Sequence, residues 1–256
     1  MTEQLTFTAV PHIPSQVQPN DDVTGLILQA LDRAGMALRD GDVLAIAQKI
    51  ISKAEGRLVN LADVQPSARA QEVAVQTEKD PRLVELILQE SEEISRQRKG
   101  VLLVRHKLGF TSANAGIDRS NVRQPNAEEW VLLLPTDPDA SAAQLRADIL
   151  ARSNVTVGVV ITDTHGRPFR MGAVGVAIGV AGIPALWDRR GEQDLYGYVL
   201  EHTAVGVADE IAAAAGLLMG QAAEGTPVVL IRGLHFTAPA GKAADLVRPK
   251  ELDLYR

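Results

Sequence analysis

The chain has no cysteine among its 256 residues. That absence excludes disulfides, thiolate zinc sites and cysteine nucleophiles together. Aromatic residues are scarce, at 4%, so a core has to be assembled mainly from Val, Leu, Ile and Ala. No apolar run reaches the ~18 residues a membrane-spanning helix needs. The opening MTEQLTFTAVPHIPSQ lacks a basic stretch followed by an apolar one, so no signal peptide is read there and a cytoplasmic setting is expected. Positive charge is not in excess either. A net charge of −6 argues against nucleic acid as a partner, while a local basic patch remains able to hold a single phosphate.

What is present is the composition of a soluble globular protein, 46% hydrophobic and 23% charged. The length suffices for one large domain or two small ones. No Pro/Gly/Ser-rich linker and no repeat of fixed period divides it, so residues 1–256 are expected to form one domain, any subdomain boundary being left open. Residues 5–10 read as a strand, and 23–34 as a helix capped by Asp21 or Asp22. DGDVLAIAQKIISKAEGR reads as a turn, an apolar strand and a polar exit at 52–57. Residues 67–93 are helical in pattern, broken at Pro81. VLLVRH, WVLLLP and PVVLIRG read as short strands, 140–152 and 203–218 as helices, 109–126 as a glycine-rich polar loop, and the stretch beyond His235 as loose. Strands and helices mix without strict βαβα alternation, which predicts an α+β fold with mixed sheets rather than a doubly wound one.

Four polar clusters interrupt this pattern. In the stretch that ends VVITDTHGRPFR, a mostly β-branched run over 155–161 breaks into an acid, two hydroxyls, a histidine and two arginines, the strand itself reading as 155–162. Asp163 beside Thr164 suits a hard cation, and Arg167 and Arg170 suit phosphate oxygens. The alternative is an ordinary exit into a turn with solvated arginines. GFTSANAGIDRSNV carries Asp118 and Asn121 among small residues that let a ligand approach the backbone; a solvated loop is the alternative. QKIISKAEGR places Lys53 just past an apolar strand, either as a point charge for phosphate or as a commonplace surface lysine. In LLMGQAAEGTPVVLIRG a helix stops at Gly220, and Gln221, Glu224 and Thr226 precede the next strand. Such a turn can hold an anion on its N–H groups, or it is only a glycine-stopped helix. There is no GxxxxGK[ST], no strict GxGxxG after a strand, no GxSxG and no HExxH, and the five histidines are scattered.

Taken together and in this order, DGDVLAIAQKIISKAEGR, GFTSANAGIDRSNV, GVVITDTHGRPFRMGAVGVAIGVAGIPALWDRRGEQDLYGYVL and LLMGQAAEGTPVVLIRG resemble the coenzyme F420-0 γ-glutamyl ligase family, from about residue 10 to residue 233. The resemblance implies an enzyme that uses GTP and Mg²⁺ or Mn²⁺ to join L-glutamate to the phospholactyl end of the deazaflavin F420-0, some members adding further γ-linked glutamates. It implies an intertwined homodimer with the active site near the interface. It further implies two metal sites held by Asp118, Asp163, Thr164 and Gln221, with K⁺ as a further candidate ion. Lys53, Asp163 and Arg167 are implied as catalytic. Nucleotide contacts are implied for Ile13, Pro14, Ser15, Gln16, Gln48, Lys53 and Asn121, and for the turn formed by Met219, Gly220, Gln221, Ala222, Ala223, Glu224, Gly225 and Thr226. One departure stands out: relatives often have Ser where this chain has Gln48 before Lys49. That leaves a second reading, a paralogue that binds nucleotide or deazaflavin without ligating, and a third, a ligase for a different acceptor. His165 is a candidate base by position, or a turn histidine. DRRGEQDLYGY offers arginines and Tyr196 and Tyr198 to a ligand, or an arginine–aspartate network at an interface.

Overall fold

Two short apolar segments, VLAIA and the start of GVVITDTHGR, lie side by side and parallel at the centre of the protein. The computed structural model describes residues 4–253. These segments form β2 (Val43–Ala47) and β8 (Gly158–Arg167), paired from Val43↔Gly158 to Ala47↔Thr162. Strands buried on both faces read as continuous apolar runs, which is why neither shows alternation. The sheet is completed by β1 (Thr6–Ala9), β9 (Arg170–Ala181) and β12 (Val228–Arg232), in the order β1-β12-β2-β8-β9, every other pairing being antiparallel.

Helices cover both faces. One face carries α1 (Val23–Arg33), α2 (Gln48–Ala54) and α5 (Pro138–Ser153), which bury Ile27, Leu31, Ile50, Ile51, Leu145 and Ile149 against Leu44, Ile46, Val159 and Ile161. Asp22 caps α1 through the Gly25 amide, and Asp137 caps α5 through the Ala140 amide. The other face carries α6 (Val207–Met219), whose Ala208, Ile211, Ala212 and Ala215 pack on Val43, Ala45, Val160 and Val229.

The glycine spacing in GAVGVAIGVAG has a structural cause. At Gly175 a side chain would meet the backbone of Ala212 in α6 at 2.4 Å, and at Gly179 the backbone of Pro138 in α5 at 2.3 Å. A bulge between Ile161 and Thr162, opposite Ile178, shifts the strand's register so that glycines four apart meet different layers. Because β9 is an edge strand, its outward amides need partners: Ala177 N–H donates to Asp209 and Val180 N–H to Asp139, each at 2.8 Å.

The remainder between 58 and 134 forms a second lobe with its own apolar clusters, around Val73, Ile87, Leu102 and Val104 and around Leu61, Leu86 and Val131. It contains α3 (Ala68–Thr77), α4 (Pro81–Gln89), a three-stranded sheet of β4 (Ser91–Arg98), β5 (Val101–His106) and β6 (Thr111–Ala113), and a pair of β3 (Leu58–Asn60) with β7 (Trp130–Leu132). A last pair, β10 (Trp187–Asp188) with β11 (Ala204–Val205), closes an excursion over 189–203.

The α+β reading holds, with local corrections. The polar exit expected at 52–57 begins as the second half of α2, which runs to Ala54. The helical pattern expected up to residue 93 gives way to β4 at Ser91, and the loop expected over 109–126 contains β6 and two 3₁₀ turns. The strand expected to stop at Thr162 continues to Arg167 and turns into β9, so Asp163 and Thr164 are mid-hairpin rather than at a strand end. The helix expected from 203 begins at Val207 because 204–205 pair in β11. The tail expected to be loose contains two 3₁₀ turns and buries Ala243.

His106, buried at the end of β5, backs a contact between the lobes. Its ring stacks on Phe110 with centroids 5.3 Å apart, and Phe110 in turn meets His165 of β8 at 4.7 Å. The Leu108 amide donates to His106 Nδ1 at 2.9 Å, so that nitrogen is the unprotonated one of a neutral ring. Burial pushes its pKa down from 6.5, with Glu90 partly opposing. A histidine held neutral in the fold but free to protonate when unfolded contributes stability that is full above the unfolded value and is lost as pH falls below it. We therefore expect unfolding stability to drop below about pH 6.5, by at most ~1.4 kcal/mol per pH unit from this one group. Urea melts of wild type and His106→Asn check this, and identical pH slopes for the two would refute it.

Candidate active site

Four chain segments distant in sequence end at the same edge of the central sheet. The exit of β1 leads to residues 11–16. The exit of β2 becomes α2 directly, with Ala47 in extended conformation and Gln48 as the first helical residue. β8 passes the same level at Thr162, paired with Ala47. β12 runs antiparallel to β2, so its entry, residues 220–227, arrives there too, delivered by the C-terminus of α6. Between them lies a cleft of ≈ 360 Å³.

The cleft gathers most of the residues singled out from the sequence. Pro14, Ser15, Gln48, Lys53, Asn121, Asp163 and Thr164 line it, and so does the whole turn from Met219 to Thr226. Ile13 instead sits in the core beneath it, and Gln16 is exposed and outside the lining. Asp118 stands just behind, bonded to two residues that do line the cleft. Arg167 is not brought in. It lies at the tip of the β8–β9 hairpin, where Nη2 donates to the Met171 carbonyl at 3.2 Å.

One face of α2 organises the acidic loop. Lys49 Nζ pairs with Asp118 Oδ2 at 2.8 Å and reaches Ser120 Oγ at 3.3 Å. Lys53 Nζ donates to the Asn121 carbonyl at 2.9 Å. Gln48, only 1% exposed, donates Nε2 to Asp118 Oδ2 at 2.9 Å and accepts Ser52 Oγ on Oε1 at 2.7 Å. Asp118 is itself fixed by a two-way backbone bridge to Leu132, both bonds 2.9 Å. Burial pushes the Asp118 carboxyl up from the ordinary aspartate range. The Lys49 ammonium pulls it back, and the charge of Asp163 adds to the upward push. Lys53 moves down from the usual lysine value, first through desolvation and then through Lys49.

The turn after α6 is wrapped around its own acid. The Ala222 amide donates to Glu224 Oε2 at 2.8 Å, and amides of Ala222, Glu224 and Gln221, in that order, hold the Glu224 carboxyl below the usual range. Asn121 Nδ2 donates to the Ala222 carbonyl at 3.0 Å, tying the acidic loop to this turn. Opposite, Asp163 Oδ2 lies 3.0 Å from His165 Nε2, and His165 borders a second cavity of ≈ 570 Å³ together with Lys107, Asp209 and Arg248. In DRRGEQDLYGY the arginines are paired locally, Arg190 with Asp188 and Arg189 with Glu192, while Tyr196 is 95% exposed.

Lys49, Ser52 and Thr162 were not singled out from the sequence. The signal for the first two was the i, i+4 spacing in QKIISK, Gln48 with Ser52 and Lys49 with Lys53, legible only once the segment is read as a helix.

These features are those of an enzyme cleft with oxygen donors and a lysine at the ends of parallel strands, where open sheets commonly bind ligands. The chain belongs to the F420-0:Gamma-glutamyl ligase family, whose model matches residues 13–233. It is 49% identical over 243 residues to the Coenzyme F420:L-glutamate ligase of Methanothermobacter thermautotrophicus, covering 94% of each chain. To the proteins of the same name from Methanopyrus kandleri and Archaeoglobus fulgidus it is 46% and 45% identical. The first match covers 98% of both chains, the second 94% of this chain and 92% of the relative.

Gly220 holds the turn in a conformation, φ +70° and ψ −173°, open to glycine alone, and a side chain there would run into the Glu224 carboxylate. Gly220→Ala should therefore cost about 1–3 kcal/mol in urea denaturation; an unchanged midpoint and slope would show that the turn carries no such constraint.

Proposed function

We propose that this protein uses GTP to join L-glutamate to the carboxylate of F420-0 through an amide bond. The observation that supports this most is the convergence of Lys53, Asn121, Asp163, Thr164 and the 219–226 turn on one cleft, in a chain matched by the ligase family over 13–233. The relatives' printed name, Coenzyme F420:L-glutamate ligase, supports the choice of acceptor and amino acid.

A free carboxylate resists an amine, because its charge repels the nucleophile and oxide is a poor leaving group. In the proposed sequence the acceptor carboxylate oxygen attacks the γ-phosphorus of GTP, the bond to the β,γ-bridging oxygen breaks, and GDP leaves. The amine nitrogen of glutamate then attacks the carbonyl carbon of the resulting acyl phosphate. A C–N bond forms, inorganic phosphate departs with the bonding pair, and the ammonium proton is lost to water or a base. Lys53, released from the Asn121 carbonyl, would act as a point charge on phosphate oxygens. Asn121, Pro14, Ser15 and the amides of the 219–226 turn would hold the nucleotide. Arg167 sits away from this cleft and is given no part in the transfer within one chain.

The donors fit a hard divalent cation, Mg²⁺ or Mn²⁺. All are oxygens, and the two carboxylates feel each other's charge, which at present is answered by the Lys49 ammonium. Asp118 and Asp163 would hold such ions, with Thr164 and Gln221 assisting at a second one. When bound, the cation offsets charge that develops on the phosphate oxygens. The test is mass spectrometry of protein, F420-0, GTP, Mn²⁺ and L-glutamate with each omitted in turn. We expect a glutamyl mass increase that vanishes without GTP or metal, and that is lost in folded Asp163→Ala. Ligation by that variant at the wild-type rate would refute the assignment of Asp163.

We propose further that the protein is a homodimer. Phe169 and Met171 at the hairpin tip and Leu195 and Tyr196 in the 189–203 excursion are 95–97% exposed, a cost that a partner surface removes. Light scattering should give twice the chain mass, and Phe169→Asp with Met171→Asp should halve it. A monomeric wild type would refute the proposal.

A further inference from the structure

Both polar ends of the Gln48 side chain are engaged inside the protein. It is 1% exposed, its carbonyl oxygen accepts from Ser52 Oγ at 2.7 Å, and its amide donates to Asp118 Oδ2 at 2.9 Å. From this geometry we infer that Gln48 is a positioning residue, which fixes the Asp118 carboxylate in the rotamer needed to ligate a divalent cation. The inference rests on the reading above that Asp118 is a metal ligand, and it moves Gln48 from the nucleotide contacts to the support of the metal.

Three features carry it. First, the amide's orientation is set. A carboxylate can only accept, so Nε2 is the end that faces Asp118, and Oε1 is left to accept from the Ser52 hydroxyl one helical turn along α2. Second, among the described residues the Asp118 carboxylate is held by Gln48 and by Lys49, and both contacts fall on Oδ2. Oδ1 is thus the oxygen left for a cation, and a carboxylate pinned through one oxygen presents the other in a fixed direction. Third, the two donors differ in kind. Lys49 is a mobile ammonium on a flexible stem, and an incoming cation would displace it through like-charge repulsion. Gln48 is neutral, packed at the foot of α2 and joined to Ser52, so it remains when the cation arrives. A neutral donor also leaves the carboxylate's charge intact, whereas a lysine or arginine in its place would compete with the metal. Partners that orient a ligating group without touching the ion commonly change metal affinity by about 10–100-fold.

The test compares Gln48→Met, which keeps the volume and removes the amide, with Asp118→Asn and the double variant. Binding of Mn²⁺ is read from the free-ion signal in electron paramagnetic resonance, and binding of GTP in the presence of EDTA by calorimetry, after melting curves establish that each variant is folded. We expect Gln48→Met to weaken Mn²⁺ by about ten-fold or more, to leave metal-free GTP binding unchanged, and to add nothing once Asp118 is Asn. Ser52→Ala should move Mn²⁺ affinity in the same direction by less. In turnover, the Mn²⁺ concentration for half-maximal rate should rise while kcat at saturating Mn²⁺ recovers. If Asp118→Asn loses Mn²⁺ and Gln48→Met binds it like wild type, the inference is wrong and the metal reading stands. If Gln48→Met instead weakens GTP in EDTA, Gln48 is a nucleotide contact and the inference is again overturned. If Asp118→Asn holds Mn²⁺ as wild type does, or wild type holds none, the metal reading falls and takes the inference with it.

Discussion

The parallel pairing of β2 with β8 is the constraint from which the site follows. It sets Ala47 opposite Thr162, so the chain leaving β2 and the polar half of β8 come out at one level of the sheet. Since β12 is antiparallel to β2 and β1 antiparallel to β12, the entry of β12 and the exit of β1 reach that level as well. Four segments separated by tens to hundreds of residues are thereby gathered without any long loop having to search for its place. A slip of one residue in the β2–β8 register would move every side chain of β8, Thr162 and Asp163 included, to the other face and dissolve the cleft.

Rigidity at this edge comes from α2, which starts with no intervening loop. Its first turn and a half supplies Gln48, Lys49 and Lys53, a neutral donor and two cations turned towards 118–121, and Ser52, an anchor for that donor. The acidic loop could not hold its own shape. Asp118 is largely shielded from solvent, which disfavours its charge, and Asn121 adopts a left-handed conformation at φ 56°. Contacts from α2 on one side, the backbone bridge to Leu132 behind, and the Asn121 bond to Ala222 in front fix it from three directions. The site is accordingly built on a helix and a strand, with the glycine-bearing turn at 220–225 as its adaptable part.

The β8–β9 hairpin joins the site to the rest of the molecule. Its base is buried between α5 and α6 and depends on Gly175 and Gly179 for close approach. Its middle carries Asp163 and Thr164 to one cavity and His165 to another. Its tip exposes Phe169 and Met171 beside Arg167 and Arg170. One element therefore spans core, chemistry and prospective interface, so changes at any of the three are felt along a single pair of strands.

The sequence determined the parts. Apolar runs marked the strands, Asp22 and Gly220 marked a helix start and a helix stop, and each of the four ordered polar clusters contributed some of the residues that line the cleft. Local chemistry suffices there, because caps, strand runs and turns are decided by neighbours within a few residues. Tertiary structure decided the rest. It made QKIISKA a helix rather than an exit loop, because the segment buries Ile50 and Ile51 beneath the sheet edge. It extended β8 through Asp163, because β9 was there to pair with it. It turned Gln48 towards Asp118, and left Arg167 at a distant tip. Contacts across 70 residues of sequence, as between Gln48 and Asp118, have no period or spacing to betray them. They exist only once the parallel strands have fixed where each segment leaves the sheet.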